Sequence, residues 1–232
     1  MVLKSNYETW ENIHSKKEWG KYPNEELVRF IGSNFFKLSR KERKKIKILE
    51  MGFGQGANIW FLIREGFDVY GIDISNSAKE KLKARLENEK ILPEEFDNHF
   101  KVQDIRKVSF SENYFDVVID VAAILCVSYT DHNIVYNKIN NMLKKDGLFF
   151  SWHLLKDSWG DDGENYIDKD TKEEVDVGPL AKEGILYFAK LDDLISLFEK
   201  NKFSVLNTEK LERTYENMQY SLKYAINVLK KN

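Results

Sequence analysis

The stretch Lys47-Ile48-Leu49-Glu50-Met51-Gly52-Phe53-Gly54-Gln55-Gly56-Ala57 decides the fold of this 232-residue chain. It runs from a short apolar strand through a glycine-rich turn into a helix over 57–65, which Gly66 is placed to end. Phe67 to Ile72 then reads as a second strand, and Asp73 follows it 21 residues after Gly52. Glycines allow the tight turn and let a ligand approach the backbone closely. An acid closing the next strand accepts hydrogen bonds from paired ribose hydroxyls. The unit reads as a nucleoside-binding strand, loop, helix and strand.

Working outward, Asn24 can cap a helix from Glu25 with Leu27, Val28, Ile31 and Phe35 on one face. Ser39 to Lys47 reads as a charged loop. Ser77-Ala78-Lys79-Glu80 has the capping-box pattern and opens a third helix. Phe100 to Val102 and Phe115 to Asp120 read as further strands. Thr130 or Asp131 then caps a helix ended by Gly147, and Leu148 to Trp152 is a fifth strand. Leu191 to Lys200 is amphipathic, with Asn201 as terminator. Met218, Tyr220, Leu222, Tyr224, Ile226 and Val228 recur at every second position, the period of a strand. Strands alternating with helices define an α/β fold, a largely parallel sheet with helices on both faces. Such sheets bind ligands at the carboxyl ends of their strands. No repeat or linker divides the chain, so it reads as one domain over 1–232. Its parts are a helical cap over 1–45, a ligand-binding half over 46–155 and a second half over 156–232.

Composition removes whole classes of function. The 36 Lys+Arg against 38 Asp+Glu leave a net charge of −2, without the basic excess of a nucleic-acid module. A single Cys, Cys126, excludes a disulfide framework and a CxxC metal or redox site. The Asp-rich run at 161–170 lacks the spacing of a calcium loop, so no metal is expected. The start MVLKSNYETW has no apolar signal core, and the longest apolar stretch is broken by Asp116 and Asp120. The expectation is a cytoplasmic protein with no membrane partner.

Two ligands suit the glycine loop. Gly52, Gly54 and Ala57 also satisfy the dinucleotide pattern GxGxxA. A dinucleotide would rest its anionic pyrophosphate at this helix start. Glu50 would then bring a carboxylate near the pyrophosphate, which is unfavourable. S-adenosylmethionine carries a sulfonium and an ammonium against one carboxylate, so a nearby anion suits it. The loop also lies some 50 residues into the chain, whereas a dinucleotide fold begins with it.

From about residue 46 onward the chain resembles the class I, seven-stranded S-adenosylmethionine-dependent methyltransferases. ILEMGFGQG (48–56) looks like their first motif and VYGIDIS (69–75) like their acidic second-strand motif. VQDI (102–105) is similar to the adenine-recognition segment, and FDVVID (115–120) to the fourth-strand motif. MLKKDGLFF (142–150) resembles the LKPGG turn, with Lys145-Asp146 in place of Pro-Gly. The resemblance implies a Rossmann-like, doubly wound seven-stranded sheet. It implies that Gly52, Gly54 and Gly56 approach the methionine part of the cofactor and that Glu50 acts on its ammonium. Asp73 would hold the ribose, Ile74 would pack on the adenine, and Asp104 with the Ile105 N–H would meet the adenine edge. Asp120 and Val121 would face the sulfonium, and Tyr22 and Lys21 the methionine carboxylate.

The acceptor is less legible. WGKYPNEELVRFI (19–31) looks like methyltransferases of bacterial surface-polysaccharide pathways, which implies a sugar or polysaccharide precursor. The acidity of 156–190 disfavours a polyanion and fits a polar or cationic small molecule. Nucleic acid is disfavoured too, because neither a [DN]PPY motif nor a Pro-Cys nucleophile is present. An alcohol acceptor would benefit from a general base. His153, just after strand five, is the candidate; His14, His99 and His132 are weaker ones. The expected function is methylation of a small polar metabolite, at oxygen. The rivals are an NAD-linked oxidoreductase and a non-catalytic cofactor-binding partner.

Overall fold

The computed structural model describes residues 6–162 and 164–232. Residues 1–5, part of the start read above for a leader, lie outside the described residues. Three helices come first: α1 (Asn6–Lys16), α2 (Glu25–Phe35) and the one-turn α3 (Arg40–Arg43). Next come β1 (Lys47–Met51), α4 (Ala57–Glu65), β2 (Asp68–Asp73), α5 (Asn76–Asn88), α6 (Phe96–His99), β3 (Phe100–Val102) and β4 (Phe115–Val121). Then follow α7 (Tyr129–Met142), β5 (Leu143–Leu154), β6 (Tyr166–Asp168), β7 (Thr171–Lys172) and β8 (Leu186–Tyr187). The chain closes with α8 (Leu191–Lys200), β9 (Phe203–Tyr215) and β10 (Tyr220–Lys231).

Seven strands form one sheet in the order β3-β2-β1-β4-β5-β10-β9. The first five are parallel, and β10 runs antiparallel to both β5 and β9. Adjacent residues of the central strands alternate between two buried faces, which is why these strands read as continuous apolar runs. Ile48, Val117 and Ile119 pack under Leu27, Ile31, Ile59, Leu62 and Leu82 of α2, α4 and α5. Leu49, Val118 and Phe149 pack under Val135, Tyr136, Ile139, Leu194 and Phe198 of α7 and α8. A smaller cluster joins Leu125, Cys126, Leu154, Leu186, Phe188 and Leu222, with Trp10, Leu180, Tyr215 and Tyr224 against it. The strands β6, β7 and β8 form a separate three-stranded sheet. Among the described residues, no helix is long and apolar enough to cross a membrane.

Local signals hold where they are self-contained. The Asn24 side chain accepts from Leu27 N–H at 3.0 Å, and Gly66 ends α4 at φ 93°. Four local readings are corrected. The segment from Ser39 is a capped helical turn, with Ser39 and Glu42 forming a capping box. The cap of α5 is Ser75, whose hydroxyl accepts from Ala78 N–H. Ser77 instead binds Glu11 of α1, which accepts from both the Ser75 and Ser77 hydroxyls. Finally, α7 starts after Ser128 and passes straight into β5 at Leu143, so Gly147 lies inside a strand.

Candidate active site

At the carboxyl ends of β1, β2 and β4 the chain encloses a cavity of about 650 Å³, within the range of small-molecule sites. Its floor is the glycine loop. Gly52 N–H and Phe53 N–H both donate to Ile72 O, at 2.8 and 3.1 Å, which fastens the loop to the end of β2. The three glycines have positive φ, but they serve different ends. A Cβ on Gly52 would lie 2.3 Å from Ala123 Cβ, and one on Gly56 would lie 2.2 Å from Leu82 Cδ1. On Gly54 the nearest atom would be His14 Cε1 at 3.6 Å, across the cavity. Gly52 and Gly54 line the cavity; Gly56 does not. Gly56 is therefore a packing position under α5, contrary to the expectation that it approaches the cofactor.

Glu50 lies on the cavity wall, only 1% exposed. Its Oε1 accepts from Asn58 Nδ2 at 2.7 Å, while Oε2 has no partner among the described residues. Burial, with the Asp73 and Asp120 carboxyls adding to it, pushes its pKa up to about 8 against the Asn58 hydrogen bond. Asn58 Oδ1 in turn accepts from the Asn24 N–H at 2.9 Å, so the start of α2 orients the partner of Glu50. Asp73 accepts from Gly54 N–H at 2.8 Å and from Ser75 N–H at 2.9 Å. Burial outweighs those donors and raises its pKa to about 6. Each of its oxygens keeps a lone pair for a ligand hydroxyl.

The structure brings Tyr22, Glu50, Gly52, Gly54, Asp73, Ile74, Asp104 and Ile105 to this one cavity. Tyr22 stands at its rim, 83% exposed, and Lys21 is not among the lining residues. Asp104 arrives already engaged, since Arg106 Nη2 and Nε donate to its carboxylate at 2.6 and 3.0 Å. Asp120 is corrected. Its Oδ1 turns back to accept from Ala123 and Ile124 N–H, each at 2.9 Å, and Val121, Ala122 and Ala123 form the wall in its place. Ala122 holds φ 66°, an uncommon conformation for a residue with a Cβ, at that same turn.

His153 is also corrected. Because β5 continues to Leu154, His153 sits within the ladder opposite Ala225 and is fully buried. It faces α7, where its Nε2 lies 2.8 Å from the Tyr136 hydroxyl, and it is absent from the cavity wall. Burial drives its pKa well below the usual histidine value, so it is a neutral core residue. His153→Ala is expected to lower stability by about 2–4 kcal/mol, through a lost side chain and an orphaned Tyr136 hydroxyl. S-Adenosylhomocysteine affinity should hold within about twofold; calorimetry on the refolded variant checks both. His132 is likewise buried, against Ile124 O at 3.1 Å. His99 stacks on Tyr70.

Sequence reasoning places an N-terminal cap over 1–45 but not the helix α1 or the residues with which it roofs the cavity. Asn6, Trp10 and His14 recur every fourth residue along α1 and all face the cavity. Gln55 ties the end of this roof down, accepting from Trp19 N–H at 2.9 Å and donating to Lys17 O at 2.8 Å. His14 is kept neutral by burial, its pKa pushed down to about 4. The i, i+4, i+8 spacing was present in the sequence. It mixes an amide, an indole and an imidazole, so it does not register as an apolar stripe.

The fold superposes on structures described as S-adenosylmethionine-dependent methyltransferases. Residues 49–151 match the family described as a methyltransferase domain. Over 126 residues, 52% of the chain, it is 28% identical to phosphoethanolamine N-methyltransferase of Plasmodium falciparum. The match spans 45% of that relative, less than half its length. Among solved structures, an S-adenosylmethionine-dependent methyltransferase of Methanosarcina mazei superposes with a TM-score of 0.64 at 17% identity, over 80% of this chain and 92% of the other. The 1,6-didemethyltoxoflavin-N1-methyltransferase of Burkholderia thailandensis superposes with a TM-score of 0.60 at 12% identity, over 100% of this chain and 92% of the other. That structure holds S-adenosylhomocysteine.

The residues present fit this cofactor: Glu50 offers an unpartnered buried carboxyl oxygen to a cation, and Asp73 offers acceptor capacity to a diol. Asp73→Ala is expected to weaken S-adenosylhomocysteine binding by about 1–3 kcal/mol, measured by titration calorimetry. An unchanged affinity would remove Asp73 from the ribose role.

Proposed function

We propose that this chain transfers a methyl group from S-adenosylmethionine to a small, uncharged or cationic acceptor bound in the same cavity. The carrying observation is Glu50, a buried acid ahead of the glycine loop with one oxygen unpaired among the described residues. A cation restores its charged form there, whereas a pyrophosphate would raise the cost of burial. Bound S-adenosylmethionine would supply a methyl carbon made electrophilic by its sulfonium. The chain's own part is to align the acceptor and to exclude water, and the roof formed by Trp10 and His14 serves the second task.

The expectation of a sugar oxygen narrows here to an acceptor without phosphate. The far wall of the cavity carries Glu183, while Arg106, the one lining cation among the described residues, is already held by Asp104 at 2.6 Å and Asp131 at 3.1 Å. A phosphorylated acceptor such as phosphoethanolamine would thus meet repulsion without compensation. The test has two stages. S-Adenosylhomocysteine should raise the melting temperature and NAD should not; the reverse result rejects the proposal. Ethanolamine, phosphoethanolamine, glucose and glucosamine are then supplied with S-adenosylmethionine. Product S-adenosylhomocysteine should form with an unphosphorylated compound; turnover of phosphoethanolamine alone would refute the charge argument.

A further inference from the structure

The acids around the cavity are not equivalent. Asp73 is held by two backbone N–H groups, Asp104 by Arg106 and Glu50 by Asn58. Glu183 is different: among the described residues its carboxylate has no hydrogen-bond or ion-pair partner, and Lys17 acts on it only from a distance. It nevertheless lines the cavity in a half-buried position, where burial pushes its pKa up. Its charge bears on the Cys126 thiol and the Tyr224 phenol, both of which line the same cavity.

The surroundings are aromatic and fixed. Tyr224 meets Trp152 edge-on at 5.2 Å, and Tyr215 lies 6.1 Å from Trp159. Leu125 and Leu222 complete an apolar wall around them. The loop carrying Glu183 is seated on α1: at Gly184, φ 80°, a Cβ would lie 3.3 Å from both Asn6 and Thr9. An unpaired carboxylate in such a wall is costly to keep charged unless a ligand supplies the opposite charge. Aromatic rings lining the same cavity add attraction for a cation of low hydration.

We propose that Glu183, with Tyr215 and Tyr224, forms a cation subsite that seats an amine or quaternary-ammonium group of the acceptor. The assignment rests on the methyl-transfer reading only in calling that ligand the acceptor; the charge recognition belongs to the wall itself.

The experiment uses choline as probe and 3,3-dimethylbutan-1-ol, of the same shape but uncharged, as its control. The full chain is saturated with S-adenosylhomocysteine and titrated with each. Wild type should bind choline at least about tenfold more tightly than the alcohol, and Glu183→Gln should bring that ratio close to one. The variant should keep its S-adenosylhomocysteine affinity within about twofold, which shows that the fold and the donor half are intact. Equal binding of the two probes, no binding of either, or a preference that survives Glu183→Gln overturns the subsite. If S-adenosylhomocysteine itself fails to bind wild type, the methyl-transfer reading fails at the loading step. The choline ratio measured on unloaded protein then still decides the cation subsite.

Discussion

Glu50→Gln is expected to weaken S-adenosylhomocysteine binding by about 10- to 100-fold, the effect of losing a charged partner for the ligand's ammonium. The same change should make the ligand-free protein more heat-stable at pH 8. The Glu50 carboxyl has its pKa raised from 4.5 to about 8 by burial, so the folded state keeps a proton that the unfolded chain releases. Between those values stability therefore falls as pH rises, and it levels off above about 8. Asp120, raised to about 7, acts in the same direction. His14 and His132, with pKa values pushed down to about 4, and His153, also pushed down, oppose it, but their slope lies below pH 6.5. Melting scans from pH 7 to pH 8 isolate the carboxyl contribution: wild type should lose stability across that unit and Glu50→Gln should lose less. A cation beside Glu50 reverses the linkage, because ligand capture expels its proton. Wild-type affinity for S-adenosylhomocysteine should accordingly rise with pH from 6.5 to 8, by up to about tenfold per unit. A flat affinity profile would show that ligand capture does not change the protonation of Glu50.

The second large effect separates the three glycines. Gly52→Ala and Gly56→Ala each drive a Cβ to within 2.3 and 2.2 Å of Ala123 and Leu82, in backbone of positive φ. Overpacking and left-handed strain together should cost each variant about 2–5 kcal/mol. For a chain of this size that is a fall of roughly 5–15 °C in melting temperature. Gly54→Ala meets nothing nearer than 3.6 Å and bears only the strain, so its melting temperature should change least. Its damage should appear in cofactor affinity, because its Cβ points across the cavity floor. Equal destabilisation by all three would contradict this division of labour.

The parts read correctly from sequence are those whose signals are local. The strand, glycine turn and helix around Gly52 carry their geometry in eleven adjacent residues, and Asp73 ends a strand buried at every position after its first. What failed depends on partners distant in the chain. β9 (FSVLNTEKLERTY) is an edge strand, exposed at most of its positions and held by β10, so it shows neither alternation nor an apolar run. Gly147 has the residue type of a helix terminator, but a β-ladder to β4 takes over at Leu143. His153 looked like a strand-end residue because β5 seemed to stop at Trp152. Pairing with β10 carries the strand two residues further and turns the imidazole into the α7 layer. Asp120 fails for a related reason: the tight turn after β4 leaves two N–H groups that its carboxylate satisfies first. Glu183 comes from a loop with no period to read, and only its three-dimensional surroundings single it out.

One helix, α1, is fastened to three separate places. Glu11 grips Ser75 and Ser77, the Asn6 amide reaches the carbonyl of Cys126, and Thr9 abuts Gly184. Both parts of the chamber therefore share a single cover, held at three points. A crosslink stapling that helix to the Ser75 turn is expected to slow the exchange of bound S-adenosylhomocysteine, which a ligand-displacement time course would measure.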